Sequence, residues 1–129
     1  WMAENLNYET ENSYCYDDDP ANCEKYGRLY TWDAALNACP SGWHLPTAEE
    51  FATLISNVGG EEGAAIMLKS TTGWYEDGHG VDKYGFNVLP AGYRSNLGRF
   101  DIAGKYAYFW SATECTEDYA NLLGLLYSH

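Results

Sequence analysis

A glycine-rich loop in the second half of the chain carries the residues best suited to contacting a ligand. Between Gly73 and Gly80, two adjacent aromatic residues are followed by two acidic residues and a histidine. Aromatic rings stack on sugar rings, carboxylate and imidazole groups hydrogen-bond sugar hydroxyls, and ligand contacts concentrate on such loops. In an alternative interpretation, Trp74 anchors the loop on the core and the glycines supply turns. With one arginine from the segment 94–106, the predicted ligand-contacting residues are Trp74, Tyr75, Glu76, Asp77, His79 and Arg99.

Two acidic groups are the candidate ligands for a calcium ion, because a hard cation is bound by clustered oxygen atoms. The first is the run 17–19, and the second is the acidic group at 114–118. Consecutive side chains in an extended loop diverge, so the first group is more typical of a solvated acidic turn than of a calcium site. No cofactor is required by the sequence, and calcium is the candidate that it allows. The predicted metal ligands are Asp17, Asp18, Asp19, Glu114, Glu117 and Asp118.

The four cysteines predict disulfide bonds rather than a metal site. No Cys-x-x-Cys motif occurs and the three histidines are scattered, so the spacing of zinc ligands is absent. An even number of cysteines in a small chain favours an oxidising compartment, hence an extracellular location. Cys15 and Cys23 flank a tight turn and are predicted to bond to each other. Cys39 and Cys115 then remain as a long-range pair.

Catalysis is not predicted from the motifs of this chain. Neither a Gly-x-Ser-x-Gly motif nor a phosphate-binding loop occurs. Glu76 or Asp77 with Glu114 would make a pair of glycosidase carboxylates, but any acidic chain furnishes such pairs. His44 follows Trp43 in a short extended segment and is predicted to be a packed histidine rather than a general base. The chain is therefore interpreted as a non-enzyme.

Charge and composition restrict the classes of partner. Seven basic and nineteen acidic residues give a formal net charge of −12, which repels nucleic acid. A carbohydrate, a protein or a cation suits this charge better. Aromatic residues make up 16% of the chain, a composition common at binding surfaces and in small cores. The 129 residues suit a single domain, and no apolar run is long enough to span a membrane.

The first half of the chain predicts two to three helices after a polar, loop-rich segment at 1–28. The first helix begins at the N-cap Thr31, buries Trp32, Ala35, Leu36 and Cys39, and ends at Pro40. The second begins with a capping box of Thr47 and Glu50 and ends at Gly59. Its apolar residues are Phe51, Leu54, Ile55 and Val58. A third is predicted over 62–69, with Ala65, Ile66 and Leu68 buried.

The second half predicts short strands within a long, structured, glycine-rich region. Strands are predicted at 86–93, 106–113 and 119–127, with a hairpin turn at 114–118. Alternation places Tyr106, Tyr108 and Trp110 on one face of the middle strand. Cations are few, so Arg28 and Arg94 are each predicted to pair with a carboxylate that organises the fold.

Six segments resemble the Fibrobacter succinogenes major paralogous domain, in the same order and over nearly the whole chain. They are Trp-Met-Ala-Glu-Asn-Leu-Asn-Tyr (1–8), Cys-Glu-Lys-Tyr-Gly-Arg-Leu-Tyr-Thr-Trp (23–32), Ala-Cys-Pro-Ser-Gly-Trp-His-Leu-Pro (38–46), Tyr-Gly-Phe (84–86), Leu-Pro-Ala-Gly-Tyr-Arg (89–94) and Phe-Trp-Ser-Ala-Thr-Glu (109–114). The resemblance implies a C-type-lectin-like fold, related to that of the formylglycine-generating enzyme. It also implies a bacterial surface or secreted protein, commonly a lipoprotein or a module of a larger protein.

The expected architecture is therefore a single α+β domain over 1–129. Two to three helices in the first half pack on a small, mostly antiparallel, loop-rich β-sheet in the second half. The glycan-binding signatures of lectins, Glu-Pro-Asn, Gln-Pro-Asp and Trp-Asn-Asp, are absent. This absence disfavours the usual calcium-dependent sugar site of that fold.

The chain departs from the family pattern at its two ends. Family members usually have a strand before the segment 1–8 and a closing strand ending in a Val-Arg-Cys-like pattern, and the chain is expected to lack both. The closing strand normally supplies the partner of a cysteine at the position of Cys39. Cys115 is expected either to substitute for that partner or to bond another chain. Without terminal strands, an open sheet edge is available to a neighbouring strand.

The leading hypothesis is a non-catalytic recognition or adhesion module of the bacterial outer surface. It would bind a glycan or a surface protein through the loops at 71–83 and 94–106. The first alternative is a structural or assembly subunit, which contacts other copies of itself or flanking modules through the open edge. A weaker alternative is an accessory domain of a carbohydrate-active enzyme.

Overall fold

The described residues form four α-helices and three two-stranded antiparallel sheets, so the α+β class is confirmed. The computed structural model describes residues 1–116 and 119–126, with side chains for residues 1–114 and 122–126. Within these ranges, no helix is long and apolar enough to cross a membrane.

A disulfide-closed unit forms the N-terminal part of the molecule. Strand β1 (Ser13–Tyr14) pairs antiparallel with β2 (Leu29–Tyr30), and helix α1 (Pro20–Tyr26) lies between them. The sequence predicts a loop-rich segment here, so α1 differs from the prediction. The sequence does carry a helix-start signal, an aspartate followed by a proline, and both are residue types favoured at the N-cap and first helical positions. In the structure, the Asp19 carboxylate caps α1 by accepting from the Ala21 N–H at 3.0 Å.

The predicted bond between Cys15 and Cys23 is confirmed. It joins the short turn Tyr16–Asp18 to the buried face of α1, on which Cys23 lies. Replacing both cysteines by serine should lower the free energy of unfolding by about 2.6 kcal/mol, from the chain entropy of a loop this short. Thermal unfolding of the double variant, with the reduced wild type as the control, measures this effect. An unchanged melting temperature in both would contradict the expectation.

Helix α2 (Trp32–Ala38) begins where predicted, with the Thr31 hydroxyl accepting from the Ala34 N–H. Its buried residues are Ala35 and Ala38, whereas the predicted core residue Leu36 is exposed. The small residues therefore form the buried face of the helix, and Leu36 lies on its exposed face.

Helix α3 (Ala48–Asn57) has both hydrogen bonds of the predicted capping box. Helix α4 (Gly60–Leu68) follows after a break at Gly59, where φ is +118°, and begins two residues before the prediction. Ala64 and Leu68 are buried, but Ile66, predicted to be buried, is exposed. Since α4 passes the midpoint of the chain, the helices are not confined to the first half.

The main sheet is a long hairpin of β5 (Tyr106–Thr116) and β6 (Tyr119–Leu126). Both strands were predicted, but β5 extends through residues 114–116, which were predicted as turn. The register shifts between Trp110 and Glu114 and again before Thr116, so the strand continues past irregularities instead of ending.

The predicted strand at 86–93 is wrong. Before Tyr93, the segment makes only isolated bridges, from Val88 to Lys69 and from Gly92 to Ala107. Asn87 and Gly92 have φ of +55° and +67°, so the extended conformation is interrupted twice. The short strand β3 (Tyr93–Arg94) follows and pairs with β4 (Phe100–Asp101).

The core lies between α3, α4 and the hairpin, and Leu68, Trp74, Val88, Ala107 and Leu125 are buried in it. Lys69 is also buried, its ammonium group lying 3.0 Å from the Leu126 carbonyl oxygen and 4.9 Å from the centre of the Trp74 ring. Burial lowers the pKa of this lysine.

Candidate ligand-binding cleft

The loop at 73–80 is attached to the core by its tryptophan. Trp74 is 3% exposed, and its indole N–H donates to the Ser70 hydroxyl at 3.0 Å. Its backbone N–H donates to Nδ1 of His79 at 3.3 Å, which closes the loop on itself. Trp74 therefore anchors the loop on the core, as the alternative interpretation predicts, and its ring is too buried to contact a ligand at the surface.

The other predicted contact residues of this loop lie at the surface. Tyr75, Glu76 and Asp77 form a short turn, and the Lys105 ammonium lies 4.5 Å from the centre of the Tyr75 ring. Asp77 lies 3.7 Å from Nε2 of His79.

Arg99, the remaining predicted contact residue, lies elsewhere. It is exposed in the turn between β3 and β4, where its backbone N–H donates to the Ser95 hydroxyl. Within the described part of the chain, no hydrogen bond or ion pair joins its side chain to the loop. The structure therefore does not assemble the predicted residues into one site.

The candidate calcium ligands do not converge in the part of the chain that is described. Asp17 and Asp18 occupy a turn with φ of +56° and +57°, while the Asp19 carboxylate caps α1. Glu114 lies in β5, and Glu117 and Asp118 lie outside the described residues. Among described residues, no group of three or more His, Cys, Asp or Glu side chains is placed to hold a metal ion.

The expected bond from Cys39 is absent. Cys39 follows α2 with a free, half-buried thiol, and burial raises the pKa of that thiol. The side chain of its expected partner, Cys115, lies outside the described residues.

A large cleft, which was not predicted from the sequence, lies between the N-terminal unit, helices α2 and α3, and strands β3 and β5. Its volume is about 1650 Å³. Aromatic residues from both sides line it: Trp1, Tyr14, Tyr26, Tyr30, Trp32, Trp43, Phe51, Phe86, Tyr93, Tyr106, Tyr108, Phe109 and Trp110.

Two tryptophans hold the sides of the cleft together. The indole N–H of Trp32 donates to the Ser111 carbonyl at 2.8 Å, and that of Trp110 donates to the Tyr30 carbonyl at 2.7 Å. The first bond joins α2 to β5, and the second joins β2 of the N-terminal unit to β5. The cleft is therefore fixed by hydrogen bonds between its sides as well as by packing.

Three tyrosines make a continuous aromatic surface in the cleft, which we call the tyrosine platform: Tyr93, Tyr106 and Tyr108. The rings of Tyr106 and Tyr108 are stacked, with centres 5.8 Å apart and planes 8° apart. Tyr93 meets Tyr108 edge to face at 6.1 Å, and these two rings are 38% and 40% exposed. Burial raises the pKa of the Tyr108 hydroxyl.

The platform depends on a glycine in the neighbouring strand. Gly124 is paired with Tyr108 in the β5–β6 register, and a Cβ at Gly124 would lie 3.1 Å from the Tyr108 ring. The tyrosine ring thus lies over the glycine. The alternation of Tyr106 and Tyr108 along β5 was the available sequence signal, but the contribution of β3 and Gly124 required the fold.

Two polar residues of the cleft, His44 and Arg94, lie in environments other than those predicted. His44, predicted to be packed, is 70% exposed and hydrogen-bonds the Glu50 carboxylate at 2.9 Å. The Thr47 backbone N–H and His44 together lower the pKa of Glu50. Arg28 lies 3.6 Å from the exposed Glu9, but Arg94 has no carboxylate partner among the described residues. The prediction that each arginine pairs with a carboxylate is therefore wrong for Arg94.

Fold and cleft define a small, disulfide-bearing α+β domain with a cleft lined by aromatic residues. The chain belongs to the Fibrobacter succinogenes major domain family, whose model matches residues 1–126. This match confirms the resemblance seen in the sequence. No curated protein matches the chain. No solved structure matches it either.

Proposed function

We propose that this domain is a non-catalytic recognition module of the bacterial outer surface that binds a glycan in the aromatic cleft. We further propose that its fold is C-type-lectin-like, which the family and the order of helices before a long hairpin support. The Cys15–Cys23 disulfide is compatible with an extracellular location. The tyrosine platform is the observation that carries the proposed function.

The platform suits a sugar because its rings are flat, partly exposed and fixed before binding. A stacked pair such as Tyr106 and Tyr108 offers apolar area that is already ordered, which reduces the entropy lost on association. The tyrosine hydroxyl groups add hydrogen-bonding partners at the ring edges. A cleft of about 1650 Å³ has room for several sugar residues.

The charged groups of the cleft favour binding over hydrolysis. Among the described residues that line it, the carboxylates are Glu4 and Glu50. Glu50 already accepts from the Thr47 N–H and contacts His44, so its oxygens are engaged in the helix cap. The carboxylates considered for a glycosidase pair, Glu76, Asp77 and Glu114, do not line the cleft.

Replacing Tyr108 by alanine should weaken glycan binding about tenfold or more, because it removes the central ring of the platform. A glycan array probed with the labelled domain, with and without a calcium chelator, identifies ligands and tests the calcium requirement.

Tyr84→Ala is the matched control for Tyr108→Ala, since Tyr84 is also exposed but lies outside the cleft. Tyr75→Ala tests the loop at 73–80. Loss of binding in Tyr75→Ala but not in Tyr108→Ala would place the site on that loop.

An assembly role remains the competing proposal, and the exposed Leu122 on β6 is the observation in its favour. A leucine on the last described strand could pack against a further strand or a second copy. Light scattering at high protein concentration separates the two proposals. A monomer is expected for a recognition module, whereas concentration-dependent oligomers that Leu122→Lys abolishes would support assembly.

A further inference from the structure

Arg94 is a cation of the cleft for which the described residues provide no opposite charge. Its Nε is buried without a hydrogen-bond partner, and no described carboxylate lies within 4.0 Å of its guanidinium. The chain has nineteen acidic residues, so acidic side chains are not scarce. A guanidinium that keeps its donors unused beside a cleft is available to an anion from outside the chain.

The Arg94 guanidinium is held in place by stacking. Its central carbon lies 3.7 Å from the centre of the Tyr14 ring and 5.7 Å from that of Phe100. The turn after β3 closes beside it, and a Cβ at Gly98 would lie 3.3 Å from one terminal nitrogen of Arg94. Stacking fixes the plane of the guanidinium while its N–H groups, which lie in that plane, stay free to bind an anion.

A second arginine, Arg28, borders the same cleft. Its side chain is 16% exposed, and its Nε is also buried without a partner. One terminal nitrogen lies 3.4 Å from the Ser13 hydroxyl. Ser13 and Tyr14 are neighbours in β1, so this short strand contacts both arginines. The other terminal nitrogen of Arg28 lies 3.6 Å from the Glu9 carboxylate, so Arg94 is the cleft arginine that no described carboxylate neutralises.

We propose that the glycan bound in the cleft is acidic and that Arg94 binds a carboxylate of a uronic acid residue. This inference rests on the proposed function. A guanidinium matches a carboxylate with two parallel hydrogen bonds, and Tyr93, adjacent in β3, brings the tyrosine platform to the same cleft. The net charge repels polyanions, so a glycan with isolated carboxylates fits better than a polyuronate or an acidic peptide.

The test compares two probes on the wild-type domain: xylotriose bearing one glucuronic acid residue, and the methyl ester of the same oligosaccharide. Calorimetry should show about 10- to 100-fold tighter binding of the free acid, the range expected for hydrogen bonds to a charged group. Arg94→Gln should remove this preference, and Arg94→Lys should keep only part of it, because lysine lacks the planar fork. Arg99→Gln, an exposed arginine outside the cleft, is the matched control.

The outcomes separate this inference from the proposed function. Equal affinity for acid and ester would overturn the acidic ligand while supporting a glycan site. A preference for the acid that persists in Arg94→Gln, or that Arg99→Gln removes, would overturn the assignment to Arg94. Binding of neither probe, in a domain that also binds no glycan on the array, would overturn both proposals. The probe comparison needs only the wild type, so it stands even if Arg94→Gln fails to fold.

Discussion

Replacing Trp74 by alanine should lower the free energy of unfolding by about 3–5 kcal/mol, a large part of the stability of a domain this size. The ring is buried in the core, and its loss leaves a cavity that backbone relaxation fills only in part. The Ser70 hydroxyl also loses its indole donor, and Lys69 loses the ring beside its ammonium. Chemical denaturation followed by circular dichroism measures this change.

Tyr75→Ala is the control for this prediction, because the two residues are adjacent and both were predicted to contact ligand. Tyr75 is exposed, and its backbone N–H, which donates to the Gly104 carbonyl at 2.7 Å, is retained in alanine. Its replacement should therefore change stability by less than about 1 kcal/mol. Similar losses in Tyr75→Ala and Trp74→Ala would contradict the assignment of Trp74 as the anchor of the loop.

Replacing Gly80 by alanine should destabilise the domain by about 3 kcal/mol, at the upper end of the usual cost of overpacking. A Cβ at this position would lie 2.4 Å from the Lys69 carbonyl oxygen and 2.6 Å from that of Ile66. Both oxygens belong to the main chain and accept hydrogen bonds, from Asp82 and Val81 respectively. Neither can rotate away as a side chain would, so the added methyl group must displace the backbone at the end of α4.

Gly63→Ala provides the matched control, since it is the same substitution in open space. Nothing lies within 4 Å of a Cβ at Gly63, which is inside α4. Alanine is favoured over glycine in a helix interior, and a gain of about 0.5–1 kcal/mol is expected. Melting temperatures of the two variants should therefore move in opposite directions. A stable Gly80→Ala protein would show that the loop does not pack on α4 as described.

Local signals in the sequence were sufficient for the elements whose residues interact with near neighbours. The capping box of Thr47 and Glu50 fixed the start of α3, and the short spacing of Cys15 and Cys23 identified their disulfide. The alternation along β5 correctly placed Tyr106 and Tyr108 together. In each case, the hydrogen bonds or side-chain directions depend on residues a few positions apart.

The same local reasoning failed where the backbone leaves regular structure. The residues at 86–93 have the composition of a strand, but two positive φ values interrupt it. Leu36 and Ile66 have apolar side chains on helices, yet both face outward because the core contacts the smaller residues beside them. Periodicity predicts that one face is buried, whereas the neighbouring element decides which residues form that face.

The loop at 73–80, which the sequence made the first candidate for ligand contact, is in the structure an anchored loop with an exposed rim. Residue types alone were enough to establish an acidic, aromatic, disulfide-bearing chain of this family and most of its helices. Only the tertiary structure brings Tyr93 beside Tyr108, and Arg94 beside Tyr14, because these contacts join elements far apart in the chain. The cleft that these four residues line follows from the way in which the N-terminal unit and β5 pack, and that arrangement has no local signal in the sequence.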